Sequence, residues 1–178
     1  LIVMGTRNLS QLAEMFIGSV SNRVLKHASV PTLIVKGTAR PVTRVLMAIQ
    51  GSYDATRLQT WLTAHPFKNP VSLTILSAIP STQITSEHAM VTPESPEDRK
   101  RQVQQLLDET GKALAGPQFK VSTSVAVGDP AQTICEAGKN HDLIVVSSHG
   151  RKGLSRFLMG SVSAAVVHRA GCSVLVVR

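Results

Sequence analysis

An α/β fold, an open and mostly parallel sheet with helices on both faces, is the class this sequence predicts. Three observations lead there. Short apolar, β-branched runs alternate with segments whose apolar residues recur at helical spacing. Aromatic residues are only 3% of the chain, so the core has to be built from Val, Leu, Ile and Ala, which suits strands buried on both faces. The last unit of the chain reads strand, glycine loop, helix, strand. Its parts are Leu143-Ile144-Val145-Val146, then Ser147-Ser148-His149-Gly150-Arg151-Lys152-Gly153, then a helix carrying Leu158, Val162, Ala165 and Val166 on one side, then Ser173-Val174-Leu175-Val176-Val177. In a parallel sheet such a loop lies at the carboxyl end of its strand, facing a helix N-terminus. Free N–H groups and the helix dipole there favour a phosphate.

The opening of the chain repeats this unit. Residues 1–36 align without a gap on residues 143–178, with 12 identities in 36. They include Leu1-Ile2-Val3 on Leu143-Ile144-Val145, Gly18-Ser19-Val20-Ser21 on Gly160-Ser161-Val162-Ser163, and Leu33 and Val35 on Leu175 and Val177. The expected organisation is a C-terminal strand-helix-strand remnant of a first domain over 1–36, a linker over 37–41 and a complete second domain over 42–178. By the spacing of the repeat, the first domain lacks roughly a hundred residues before Leu1. A remnant of that size cannot bury its apolar faces alone, so it has to lean on the second domain or on another chain.

The elements follow in order. The remnant supplies a strand over 1–5, a helix over about 12–28 and a strand over 31–36. In the second domain residues 42–49 are the first strand, 53–64 a helix stopped by Pro66, and 71–79 the second strand. Residues 80–94 are polar and aperiodic and read as a loop. Ser95-Pro96-Glu97-Asp98 starts the next helix, with an N-cap serine, proline in the first turn and acids on the dipole. Val103, Leu106, Leu107 and Leu114 form its apolar stripe, and Gly116-Pro117 ends it. Residues 119–127 alternate as the third strand. Asp129-Pro130 caps a helix to about residue 140, and the strand-loop-helix-strand unit closes the chain. The β-α-β-α-β-α-β-α-β order, with right-handed crossovers, gives five parallel strands.

Composition narrows the function classes. No apolar run approaches the ~20 residues of a membrane span, and Leu1 to Met4 has no cationic flank to make it a signal peptide. The absence of an initial Met suggests a fragment. Cys135 and Cys172 fall inside regular elements and read as reduced, buried thiols of a cytoplasmic protein. The net charge of +8 is compatible with a phosphorylated ligand or nucleic acid and equally with a basic surface. Tyr53 and Trp61 are too few for a platform that stacks single-stranded bases. The six histidines show no metal-ligand spacing, and there is no Gly-x4-Gly-Lys-Ser/Thr loop. Ser161 has no identifiable His and acid partners, so it does not read as a nucleophile. Asp129 reads as a helix cap.

Gly150, nine residues, then Gly160-Ser161, together with Gly128-Asp129-Pro130-Ala131 after the third strand, resemble the universal stress protein family. The resemblance covers 42–178, and 1–36 resembles the tail of a preceding copy. It implies an adenine nucleotide alpha hydrolase-like, Rossmann-like five-stranded sheet, usually dimeric. It also implies ATP as ligand, with Mg2+ accompanying it, held by Gly-x-x-Gly-x9-Gly-Ser/Thr and an Asp at the end of strand one. Carried over, Gly150, Gly160, Ser161 and Val162 take the phosphate positions, with His149 and Arg151 beside them. Ile79 takes the place where a strand-two backbone group meets adenine. Two positions depart: Ser147 stands for the first glycine and Gln50 for the aspartate. Without the resemblance, the same glycines serve equally for a tight turn and for helix packing.

The expected function is that of a nucleotide-binding stress-response module without strong catalysis. The alternative is a scaffold or interaction protein of the same fold with a vestigial site, and weak nucleic-acid binding rests on charge alone. The equivalent last strands, from Thr32 to Lys36 and from Ser173 to Arg178, are expected edges. They should pair with each other or with the same strands of a second copy, as a homodimer.

Overall fold

A computed structural model describes residues 1–5, 17–38, 40–81, 95–148 and 159–178. The first 36 residues contribute β1 (Ile2–Gly5), α1 (Ser19–His27) and β2 (Thr32–Val35). Then come β3 (Arg44–Ala48), α2 (Ser52–Ala64), β4 (Val71–Ile79), α3 (Pro96–Leu114) and β5 (Phe119–Val127). The chain ends with α4 (Pro130–Gly138), β6 (Leu143–Ser147), α5 (Ser161–Arg169) and β7 (Ser173–Val177). β4 and β5 have the expected bounds, and the N-cap of α3 is Ser95, whose hydroxyl accepts the Asp98 N–H at 3.1 Å. Asp129 caps α4 in the same way, accepting the Gln132 N–H at 2.8 Å. The expected loop 80–94 and the segment 149–158 fall almost wholly outside the described residues.

All strands join one sheet in the order β1-β2-β7-β6-β3-β4-β5. The five strands β3–β7 are parallel throughout. Their order reverses at β3 and β6: from β3 the chain winds outward through β4 to β5, then returns to β6 and winds the other way to β7. α2 and α3 cover one face through Leu58, Leu62, Leu107 and Leu114, packed on Val45, Met47, Ile75 and Val145. α4 and α5 cover the other through Ile134, Val166 and Val167, packed on Leu46, Ile144 and Val174. Strands sandwiched this way are apolar on both faces. Every residue of β6 is buried, which is why its sequence is a continuous apolar run. Gly138 lets α4 close onto this layer: a Cβ there would stand 2.5 Å from Ile144 Cδ1.

The N-terminal strands pack on β7 through β2. β2 pairs with β7 antiparallel, and Leu33 faces Leu175. These two leucines are matched positions in the ungapped alignment, so the pair sits on a local pseudo-twofold axis. The β1–β2 register, Ile2 with Thr32 and Val3 with Leu33, reproduces the β6–β7 register of Ile144 with Val174 and Val145 with Leu175. The two last strands therefore meet within one chain, the first of the two pairings expected. Ile34 is fully buried there and shares a core with Leu25, Val174 and Val176.

The pairing carries reciprocal helix caps. Lys36 Nζ donates to the Ala170 carbonyl at 2.6 Å and the His168 carbonyl at 3.4 Å, at the end of α5. Arg178, its matched position, donates to the Leu25 carbonyl near the end of α1. Each cation meets the negative end of the other unit's helix, where it satisfies carbonyls that have no helical partner. Burial lowers the Lys36 pKa, with the Cys135 and Cys172 thiols opposing the shift, so part of the gain is offset. Lys36→Met is expected to cost about 1–2 kcal/mol in a urea melt; an unchanged midpoint would show the cap to be energetically idle.

Both cysteines are free. Burial raises both thiol pKa values, with Lys36 opposing; Cys172 is buried as expected, whereas Cys135 is half-buried. No helix among the described residues is long and apolar enough to cross a membrane.

Candidate functional site

In open α/β sheets the crevice forms where strand order reverses, at the carboxyl ends of the strands. Here that place lies between β3 and β6. A cavity of about 310 Å3 opens there, lined by residues that include Gln50, Asp54, Ser147, Gly160, Ser161 and Val162. Gln50 follows β3 and Ser147 ends β6, so neighbouring parallel strands deliver both. Gly160, Ser161 and Val162 arrive at the start of α5.

Ser148, the residue after β6, fixes that helix start. Its N–H donates to the Val177 carbonyl at 2.9 Å, and its carbonyl accepts the Gly160 N–H at 2.8 Å. The Ser163 hydroxyl donates to the same carbonyl at 3.2 Å. A Cβ on Gly160 would come within 3.2 Å of the Ser148 oxygen, so the close approach favours glycine. α5 then begins with a glycine N-cap that supplies no side-chain bond, and the first intrahelical bond runs from the Ala164 N–H to the Gly160 carbonyl. The N–H groups of Ser161, Val162 and Ser163 thus have no acceptor within the helix, and these three residues line the cavity. α2, which also starts at the cavity, and α1 likewise have glycine N-caps without a side-chain bond. α3 and α4, which start at Ser95 and Asp129, are side-chain capped.

Of the residues expected at the site, the cavity brings together Gln50, Ser147, Gly160, Ser161 and Val162. Ile79 is buried, and its carbonyl accepts the Gly128 N–H at 2.9 Å; its neighbour Ala78 is in the cavity wall. His149, Gly150 and Arg151 lie outside the described residues.

Motif spacing passes over Asp54. This residue sits in the first turn of α2, is 3% exposed and lines the cavity. Its Oδ2 accepts the Gln50 N–H at 3.2 Å, and its buried Oδ1 has no hydrogen-bond partner among the described residues. Burial raises its pKa, while the Gln50 N–H, the Ser147 hydroxyl and the Arg57 charge pull it back down. A signal was present in the sequence: Asp54 shares the buried stripe of α2 with Ala55, Leu58 and Leu62, where an unpaired acid is costly. It is the one ionisable side chain among the described residues lining the cavity. No cluster of three or more His, Cys, Asp or Glu side chains suited to a metal ion occurs among the described residues.

A glycine-led helix start over a crevice at the strand-order switch belongs to the Rossmann-like class of open α/β folds. The model of the universal stress protein family matches residues 1–36 and 41–178, and the chain belongs to that family. It is 29% identical to a universal stress protein of Mycolicibacterium smegmatis over 192 residues, covering 100% of this chain and 61% of the relative. A universal stress protein of Mycobacterium tuberculosis is 28% identical over 188 residues, with the same shares. The chain thus spans about three-fifths of the length of these relatives. A universal stress protein from Archaeoglobus fulgidus superposes with a TM-score of 0.58 at 22% identity, covering 99% of this chain and 60% of that one. Another, solved in complex with cAMP, gives a TM-score of 0.53 at 20% identity, covering 78% and 98%. At these identities the structural likeness speaks to the fold.

Proposed function

We propose that this chain is a nucleotide-binding regulatory module, with ATP lying across the β3–β6 crevice. The observation that carries the reading is the uncapped start of α5 opening into the cavity. The amides of Ser161 and Val162 take the phosphates, Gly160 leaves room for their approach, and Gln50 and Ala78 flank the base. Ser147 is accommodated in this arrangement: it is buried at the end of β6. The relative solved with cAMP supports an adenine nucleotide as the ligand class. Mg2+ would enter with the phosphates. The reading is binding rather than turnover, in the cytoplasm. Residues 1–36 are read as the tail of a preceding domain, so a homodimer through the last strands would form by exchange of this segment between copies.

Ser161→Glu tests the reading. Ser161 is exposed at the first position of α5, where an acid suits the helix dipole and leaves stability intact. The same acid occupies the phosphate position and repels it. ATP affinity measured by calorimetry should fall at least about tenfold with no loss in Tm. Absence of ATP binding to the folded wild-type chain would leave the scaffold reading in its place.

A further inference from the structure

We infer that Asp54 supplies the acidic ligand contact of this pocket, accepting a hydroxyl or amino hydrogen from the nucleoside part of a bound nucleotide. The inference rests on the nucleotide reading above and adds to it a residue and a chemical group. The family resemblance puts an acid at the end of strand one, and there this chain has Gln50. A carboxylate nonetheless lines the same cavity four residues later, in the first turn of α2. One of its oxygens is committed to the fold, since Oδ2 accepts the Gln50 N–H and holds the strand-to-helix turn. The other, Oδ1, is buried and has no hydrogen-bond partner among the described residues, with the Ser147 hydroxyl also acting on the carboxyl. An unsatisfied buried carboxylate oxygen is disfavoured in the free protein, and a ligand donor relieves that cost on binding. The chemistry selects the ligand. An acceptor-only group at one part of the cavity and orphan helix amides at another fit a molecule with an anionic end and a hydrogen-donating end. Inorganic phosphates have only the first.

The test compares ATP with inorganic tripolyphosphate on the intact chain, for the wild type, Asp54→Asn and Asp54→Ser. Asn keeps an oxygen that can accept the Gln50 N–H, Ser shortens the side chain by one atom, and a thermal melt checks that both variants keep the fold. Loss of a charge-assisted hydrogen bond should weaken ATP about tenfold or more in both variants. Tripolyphosphate affinity should stay within about twofold, or improve as a negative charge is removed. Two results would overturn the inference while leaving nucleotide binding standing. Equal weakening of both ligands would make Asp54 a support for α2. Unchanged ATP affinity would mean that water satisfies Oδ1. A wild-type chain that binds neither ligand would overturn the nucleotide reading as well.

Discussion

A variant that begins at residue 41 will self-associate as a dimer through β7. In the intact chain β2 covers that strand's outer edge, antiparallel, with Leu33 opposite Leu175. Because these are matched positions of the two aligned stretches, a second β7 can take the place of β2 in the same register, Leu175 opposite Leu175. Removing β2 also strips Leu25 and Ile34 from the core they share with Val174 and Val176. A bare central edge beside newly exposed apolar side chains seeks a partner strand, and an isologous pair is the closed solution. Sedimentation velocity should show a dimer for the shortened chain, and disulfide trapping of Leu175→Cys should link the two copies. A stable, soluble monomer would show that the β7 edge does not need a partner.

Asp142 carries the second large effect. It stands just before β6, and its Oδ2 accepts the Thr43 N–H at 3.0 Å, the Thr43 hydroxyl at 2.8 Å and the Arg44 N–H at 2.9 Å. Arg40 lies 3.3 Å from Oδ1. One carboxylate thus ties the start of β3 to the start of β6, at the end of the sheet opposite the cavity. Burial alone would raise its pKa, but the Thr43 and Arg44 amides, the Thr43 hydroxyl and the Arg40 charge outweigh it and bring the value to about 2. Asp142→Ala leaves three donors without their acceptor and should cost about 3 kcal/mol. For a chain of this size that is a Tm drop of roughly 6–12 °C. The pH dependence follows from the direction of the shift. A carboxyl whose folded pKa is depressed adds stability above its unfolded value and loses it as pH falls through the folded one. The gap between wild type and variant should be full above pH 3.8 and close on approach to about pH 2. An equal Tm at neutral pH would refute the role.

Much of the fold was legible because one-dimensional patterns determine it. Continuous apolar runs mark β6 and β7 because both faces of those strands are covered. Ser95 and Asp129 mark helix starts because their side chains bond the first-turn amides. The repeat gave the equivalence of β2 and β7, and the topology then turned that equivalence into a register. The reciprocal caps of Lys36 and Arg178 were not legible, since each depends on a carbonyl more than a hundred residues away. Motif spacing picked out Gly160, Ser161, Val162, Ser147 and Gln50, and the fold brings these five to one cavity. Asp54 escaped because motif reading asks for an acid on the strand end, whereas burial of the first turn of α2 makes this one matter. Ile79 and Ala78 point to opposite sides of β4, and spacing alone does not decide which of them faces the cavity.

The most direct measurement is a crystal structure of this chain grown with ATP. Triphosphate density is expected within hydrogen-bonding distance of the Ser161 and Val162 amides, with the nucleoside reaching between Gln50 and Asp54. A nucleotide bound elsewhere, or an empty β3–β6 crevice at saturating ATP, would contradict this expectation.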